Sequence, residues 1–180
     1  MTQINSISPV TGYKYSIPVG DNKQGLLNFI EINKNKQVVA VQGLGFVGTV
    51  MSLVVANSDH GEYAVIGVDQ ATEDSYWKIA DINAGVCPIV SSDPLVSEFF
   101  EKAKQQQNFY ATFDSIAFSY ADVIIVDINL DVTKVKNHHG NIESYDVPLV
   151  GFKKAIESIG KVCKEDVLIL VETTVPPGTC

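Results

Sequence analysis

The chain has 180 residues, 46% of them apolar, and a formal net charge of −8, which suits one domain with a buried core and excludes a surface built to neutralise nucleic-acid phosphates. No apolar run approaches the roughly 20 residues that span a bilayer, and residues 1–18 lack the basic start and apolar centre of a secretion signal, so no membrane contact is expected. Three irregularly spaced cysteines, Cys87, Cys163 and Cys180, predict reduced thiols and a cytoplasmic setting rather than a disulfide framework.

Residues 1–36 read as an N-terminal extension with turn formers at Pro18, Gly20, Asp21 and Asn22. Within it, Leu26-Leu27-Asn28-Phe29-Ile30 predicts a short amphipathic helix docked on the domain, and Tyr13 and Tyr15 read as packing residues without chemistry of their own. From 37 to 180 apolar strand runs alternate with helical periodicity. That alternation predicts an α/β, Rossmann-like doubly wound domain, a mainly parallel sheet with helices on both faces.

In chain order, a strand over 38–42 breaks into Gly43-Leu44-Gly45-Phe46-Val47-Gly48, a helix runs from Phe46 to Ala56, and a second strand over 63–68 ends at Asp69. A helix fits 73–83, and another opens at Ser92, read as its N-cap, with Pro94 in the first turn. A short strand at 109–112, a brief helix at 114–119 and a strong strand at 123–128 follow. A polar loop containing His138, His139, Gly140 and Asn141 leads to a helix over 147–160 and a last strand at 167–171. The two adjacent histidines have no cysteine or carboxylate cluster around them, so they read as a solvated loop and no metal site is expected.

The glycine segment carries chemistry because of where it sits. After a strand and before a helix, Gly43 makes the tight turn, Gly45 lets backbone amides approach a diphosphate, and Gly48 lets the helix pack against the strand. The helix N-terminus then meets the anion with its partial positive charge. Asp69, 21 residues after Gly48, stands where an acidic side chain accepts hydrogen bonds from the adenosine ribose and repels a 2′-phosphate. The chain has no arginine to clamp such a phosphate. Residues 43–48 and Asp69 are therefore the expected cofactor contacts, and NAD rather than NADP the expected cofactor; a purely structural glycine turn is the competing reading.

Four segments in order resemble the N-terminal domain of the UDP-glucose/GDP-mannose dehydrogenase family: GLGFVG at 43–48; Asn83-Ala84-Gly85 with Pro88-Ile89; Ala121-Asp122; and Glu172-Thr173-Thr174-Val175-Pro176 with Gly178-Thr179. Asn83 and Gly85 alone could be a helix C-cap, and Pro176-Pro177-Gly178 a turn. The resemblance implies a nucleotide-sugar 6-dehydrogenase that uses NAD to oxidise a sugar C6 alcohol to a uronic acid, in polysaccharide biosynthesis. It places Thr174 beside the nicotinamide and the reaction centre, and Glu172 near the cofactor at the strand end, as the catalytic candidates. A solvated carboxylate is the other reading of Glu172.

Two departures accompany the resemblance. The chain stops at Cys180, before the family's glycine-rich cysteine nucleophile and its lysine and asparagine, and Cys180 itself reads as an ordinary residue. The chain alone is therefore expected to be inactive, with the nucleotide-sugar substrate held by domains it lacks and a homo-oligomer formed at full length. Where the family commonly has Thr-Pro after the fourth strand, this sequence has Asn129-Leu130-Asp131. Asn129 is the expected cofactor contact there, and Asp131 is expected to turn away from the diphosphate into the following loop. A hydroxyacid-type NAD dehydrogenase domain and a non-enzymatic NAD/NADH-sensing module are the alternatives.

Overall fold

The computed structural model describes residues 4–20, 23–130 and 132–179; Asp21, Asn22, Asp131 and Cys180, named above, lie outside them. The chain opens with an antiparallel hairpin, β1 (Asn5–Ile7) and β2 (Lys14–Ser16), and a helix, α1 (Lys23–Ile32). Then come β3 (Gln37–Gln42), α2 (Phe46–Ala56), β4 (Tyr63–Val68), α3 (Tyr76–Asn83), α4 (Pro94–Gln106), β5 (Phe109–Thr112) and a 3₁₀ turn (Ser115–Ser119). The remainder is β6 (Val123–Val126), β7 (Thr133–Lys136), β8 (Ile142–Asp146), α5 (Val150–Gly160) and β9 (Leu168–Val171).

The central sheet has five parallel strands in the order β5-β4-β3-β6-β9. Strand order reverses between β3 and β6, so the connections leaving those two strands diverge and open a crevice at their carboxyl ends. The central strands β3, β4 and β6 are buried on both faces, which is why β3 and β4 read as nearly continuous apolar runs, whereas the edge strand β9 is exposed. On one face α1, the 3₁₀ turn and α5 cover Val38, Ala40, Ile66 and Ile124; on the other α2, α3 and α4 cover Val39, Val41, Val65 and Ile125. Helices on both faces of a parallel sheet are the expected doubly wound architecture.

The short helix expected in the extension is α1, which buries Leu26 and Phe29 and stacks Phe29 on Tyr110 at 5.5 Å. Several boundaries differ from expectation, β6 ending at Val126 and α5 beginning at Val150 among them, and three differences have clear local reasons. α3 begins at Tyr76 rather than 73, because Thr72 and Ser75 hydrogen-bond each other at 2.6 Å and Ser75 Oγ donates to the Gln70 carbonyl, holding a turn there. The N-cap of α4 is Asp93, not Ser92: its carboxylate accepts from the Leu95 amide at 3.0 Å with Pro94 next in line. The polar loop after β6 contains a hairpin, β7–β8, turned by Asn137, whose Oδ1 accepts from the amides of His139 and Asn141. Both of its strands are exposed on both sides, so the apolar alternation that betrays a half-buried strand is missing.

Asp122 ties the sheet at its amino end. Its Oδ2 accepts from the Val38 amide at 2.9 Å and its Oδ1 meets Lys164 Nζ at 2.6 Å, joining β3, the start of β6 and the turn before β9. Partial burial works against the charged form, but the Lys164 ammonium and the Val38 amide prevail and hold the carboxyl below its ordinary value. A lowered carboxylate pKa stabilises the fold above the ordinary value of 3.8 and loses that contribution as pH falls below it. Asp122→Ala should cost about 1 kcal/mol at neutral pH, mostly through the Val38 amide, because the solvent-exposed ion pair is screened. Urea denaturation at pH 7 and pH 3 checks this: the gap between variant and parent should shrink at the lower pH.

Candidate active site

Every residue expected in the site lies beyond the carboxyl ends of β3, β4, β6 and β9. Gly43 leaves β3 with φ +104°, and a Cβ there would stand 2.0 Å from the Asp127 carbonyl oxygen. Only glycine permits this crossing. The Gly43 amide donates to the Val68 carbonyl and the Asp127 amide to the Gln42 carbonyl, both at 2.8 Å, so the turn is stitched to the ends of β4, β3 and β6. A Cβ on Gly48 would collide with the Gly43 carbonyl at 2.0 Å, which brings the first turn of α2 directly against the strand end.

Gly45 differs from both. Its φ of −69° suits any residue, and a Cβ there would meet no atom within 4 Å. It is the N-cap of α2 and no side chain caps that helix, so the helix starts uncapped beside Phe46 and Val47, each 57% exposed. Leu44 turns inward: its side chain is buried over Gly67, and its amide donates to Asp69 Oδ2 at 3.1 Å. Leu44 thus offers the site backbone only.

Asp69, at the end of β4, also receives the Gln70 amide on Oδ1 at 2.7 Å and Lys78 Nζ on Oδ2 at 2.8 Å. Side-chain exposures of 14% and 21% make this Asp69–Lys78 pair substantially desolvated. Lys78 was not anticipated from the sequence. The available signal was a lysine in the first turn of the helix that follows the acidic strand end.

Across the glycine turn, Gly45, Phe46, Val47, Asp127, Asn129, Glu172 and Thr174 border a crevice of about 530 Å³. Asp69 is not on its wall and lies on the other side of the turn. The Glu172 amide donates to the Val126 carbonyl, and Thr173 Oγ1 accepts from the Ile128 amide at 2.8 Å, locking the ends of β6 and β9 together. Thr173 and Asp127 were both missed. Desolvation, then the nearby Glu172 charge, raises the Asp127 carboxyl above its ordinary value. Its signal was an acidic residue closing an otherwise apolar strand.

Asn83 does more than end a helix. Its side chain pairs with both backbone groups of Ala111, donating to the carbonyl at 2.8 Å and accepting from the amide at 2.9 Å, which fastens α3 to β5. The two imidazoles at 138–139 lie 3.8 Å apart on the exposed β7–β8 turn. Among the described residues no group of three His, Cys, Asp or Glu could hold a metal, and no helix is long and apolar enough to cross a membrane.

An uncapped helix start, a glycine with nothing where its Cβ would be, a hydrogen-bonding Asp–Lys pair on one side and a crevice on the other fit an extended, diphosphate-centred molecule such as a dinucleotide. Comparison with known proteins agrees. The UDP-glucose/GDP-mannose dehydrogenase family, NAD binding domain, matches residues 37–180, and the chain belongs to this family and takes NAD as its cofactor. UDP-N-acetyl-D-mannosamine dehydrogenase from Pyrococcus horikoshii is 25% identical over 141 residues, 78% of this chain and 29% of that protein. GDP-mannose dehydrogenase from Pseudomonas aeruginosa, solved as a ternary complex, is 28% identical with a TM-score of 0.60 over 78% of this chain and 29% of that one. The fold is shared with NDP-N-acetyl-D-galactosaminuronic acid dehydrogenase from Methanosarcina mazei at a TM-score of 0.66 and 23% identity, covering 84% and 31% of the two chains. This chain spans less than a third of the length of these relatives.

The glycines separate fold from binding. Gly45→Ala should leave stability within about 0.5 kcal/mol, since the new methyl touches no protein atom, yet weaken NAD about tenfold or more by filling the space above the helix start. Gly48→Ala should lose both stability and binding. Thermal melting beside calorimetric NAD titration distinguishes the two.

Proposed function

We propose that this chain is the cofactor-binding part of a nucleotide-sugar 6-dehydrogenase, a cytoplasmic homo-oligomer at full length, which oxidises the C6 alcohol of a sugar linked to a nucleoside diphosphate to a uronic acid for polysaccharide biosynthesis. The observation that carries the reading is that the segment Glu172-Thr173-Thr174 walls the same crevice as Gly45 and the start of α2. When bound, NAD supplies the hydride acceptor. The amides at the start of α2 hold the diphosphate, and Asp69 with Lys78 receives the adenosine ribose. Thr174 and Asn129 orient the nicotinamide end, while Glu172 holds charge at the same strand end, near the reacting carbon.

The relatives whose names mention UDP-N-acetyl-D-mannosamine and GDP-mannose support the substrate class. Their length supports a division of labour in which residues beyond this region bind the sugar and carry the covalent chemistry. On this reading residues 1–180 bind NAD without turning over. NADH formation should be absent with UDP-sugars or GDP-mannose and should appear when the region is joined to the downstream part its relatives possess. Turnover by residues 1–180 alone would overturn the division.

Asp69 is the group expected to exclude NADP. Isothermal titration should show NAD binding more tightly than NADP, and Asp69→Ala should weaken NAD by about 1–3 kcal/mol, the range of a charge-assisted hydrogen bond. In the joined enzyme, Thr174→Ala should lower kcat more than it weakens the cofactor, because a group at the reacting centre acts on the transition state. An unchanged kcat would leave Thr174 with a packing role only.

A further inference from the structure

The N-terminal hairpin lies outside the family match, which begins at residue 37, and is built in an unusual way. It exposes the apolar side chains Ile4 at 56% and Ile7 at 59%, and completely buries two serines, Ser6 and Ser8. Apolar burial therefore contributes little to its docking; hydrogen bonds to α3 hold it. Ser8 Oγ donates to Asp81 Oδ2 and Tyr15 OH to Asp81 Oδ1, each at 2.6 Å, and the Asp81 side chain is fully buried between them. Ser6 Oγ donates to the Glu73 carbonyl at 2.6 Å and accepts from the Trp77 amide at 3.0 Å.

That last bond caps a helix. The N-cap residue of α3, Ser75, makes no side-chain cap bond, because its hydroxyl is engaged by Gln70 and Thr72. Ser6 supplies the missing acceptor to the second helical amide from another part of the chain. α3 has eight residues, too few to be stable alone, and carries Lys78 in its first turn, where the helix dipole disfavours a cation. Yet Lys78 is the side chain that holds Asp69 at 2.8 Å.

We propose that the β1–β2 hairpin is a positioning element of the cofactor site: Ser6, Ser8 and Tyr15 fix the first turn of α3 and its Asp81 so that Lys78 stays on Asp69 at the adenosine end. This rests on the reading of Asp69 and Lys78 as the ribose contact. The hairpin touches no part of the crevice and acts only through Lys78.

The test uses residues 1–180 with Ser6→Ala and Tyr15→Phe, each removing a single hydroxyl, in the parent and in a Lys78→Met background. Each should weaken NAD about threefold in the parent, part of the worth of one hydrogen bond, and have no effect on NAD once Lys78 is gone. The loss of melting temperature should be the same in both backgrounds, and Ser6→Thr should restore NAD affinity. Lower melting temperature with unchanged NAD affinity, or an equal affinity loss with and without Lys78, would overturn the proposal and leave the hairpin a structural brace. Unchanged NAD binding in Lys78→Met itself would instead remove the ribose reading on which the proposal stands. The two failures are thus distinguishable.

Discussion

The structure depends on how closely three backbones pass at the end of β3. Gly43 crosses within contact of the Asp127 carbonyl, and Gly48 packs against the Gly43 carbonyl, with no room at either for a single methyl. Once these contacts are made, α2 begins uncapped at the centre of the sheet, between the diverging connections of β3 and β6. Two close approaches therefore place a helix N-terminus at the one point where a parallel sheet of this order opens a crevice. The conformational cost of two mid-chain glycines is local, and the position of the entire site follows from it.

Around that point charge is distributed unevenly. On the β4 side of the glycine turn Asp69 is surrounded by donors: two backbone amides and the Lys78 ammonium. On the crevice side Asp127 and Glu172 have no such donors among the described residues, and burial, then the nearby Glu172 charge, raises the Asp127 carboxyl. A cofactor that brings a ribose diol to one side and a cationic ring to the other suits this asymmetry. The helix start between them supplies the positive end that a diphosphate needs.

The elements that frame the site are held by side chains with two partners each. Asp122 joins β3 to the turn before β9, Asn83 joins α3 to β5, Thr173 joins β6 to β9, and Asp81 joins α3 to the hairpin. Each links segments distant in sequence. Buried or half-buried polar groups of this kind specify one arrangement because leaving any partner unmet costs more than the bond itself is worth.

The doubly wound class, the strands β3 and β4, the glycine turn and the position of Asp69 at the end of β4 were all legible in the amino-acid sequence. Their signals are local: apolar runs of strand length, glycines at fixed spacing, an acid at the end of the second strand. The roles of Asn83 and Thr173, the Ser6 cap on α3 and the grip of Lys78 on Asp69 were not legible. Each depends on which group lies opposite once the chain has folded, across separations from 9 residues for Asp69 and Lys78 to 71 for Ser6 and Trp77. The β7–β8 hairpin escaped notice for another reason, since strands exposed on both sides carry no burial pattern. The sequence by itself determined the fold class and the glycine turn, because periodicity and steric room are properties of neighbouring residues. Only the tertiary structure decided which side chains hold the site in place, because a hydrogen bond needs two groups that only folding brings within 3 Å.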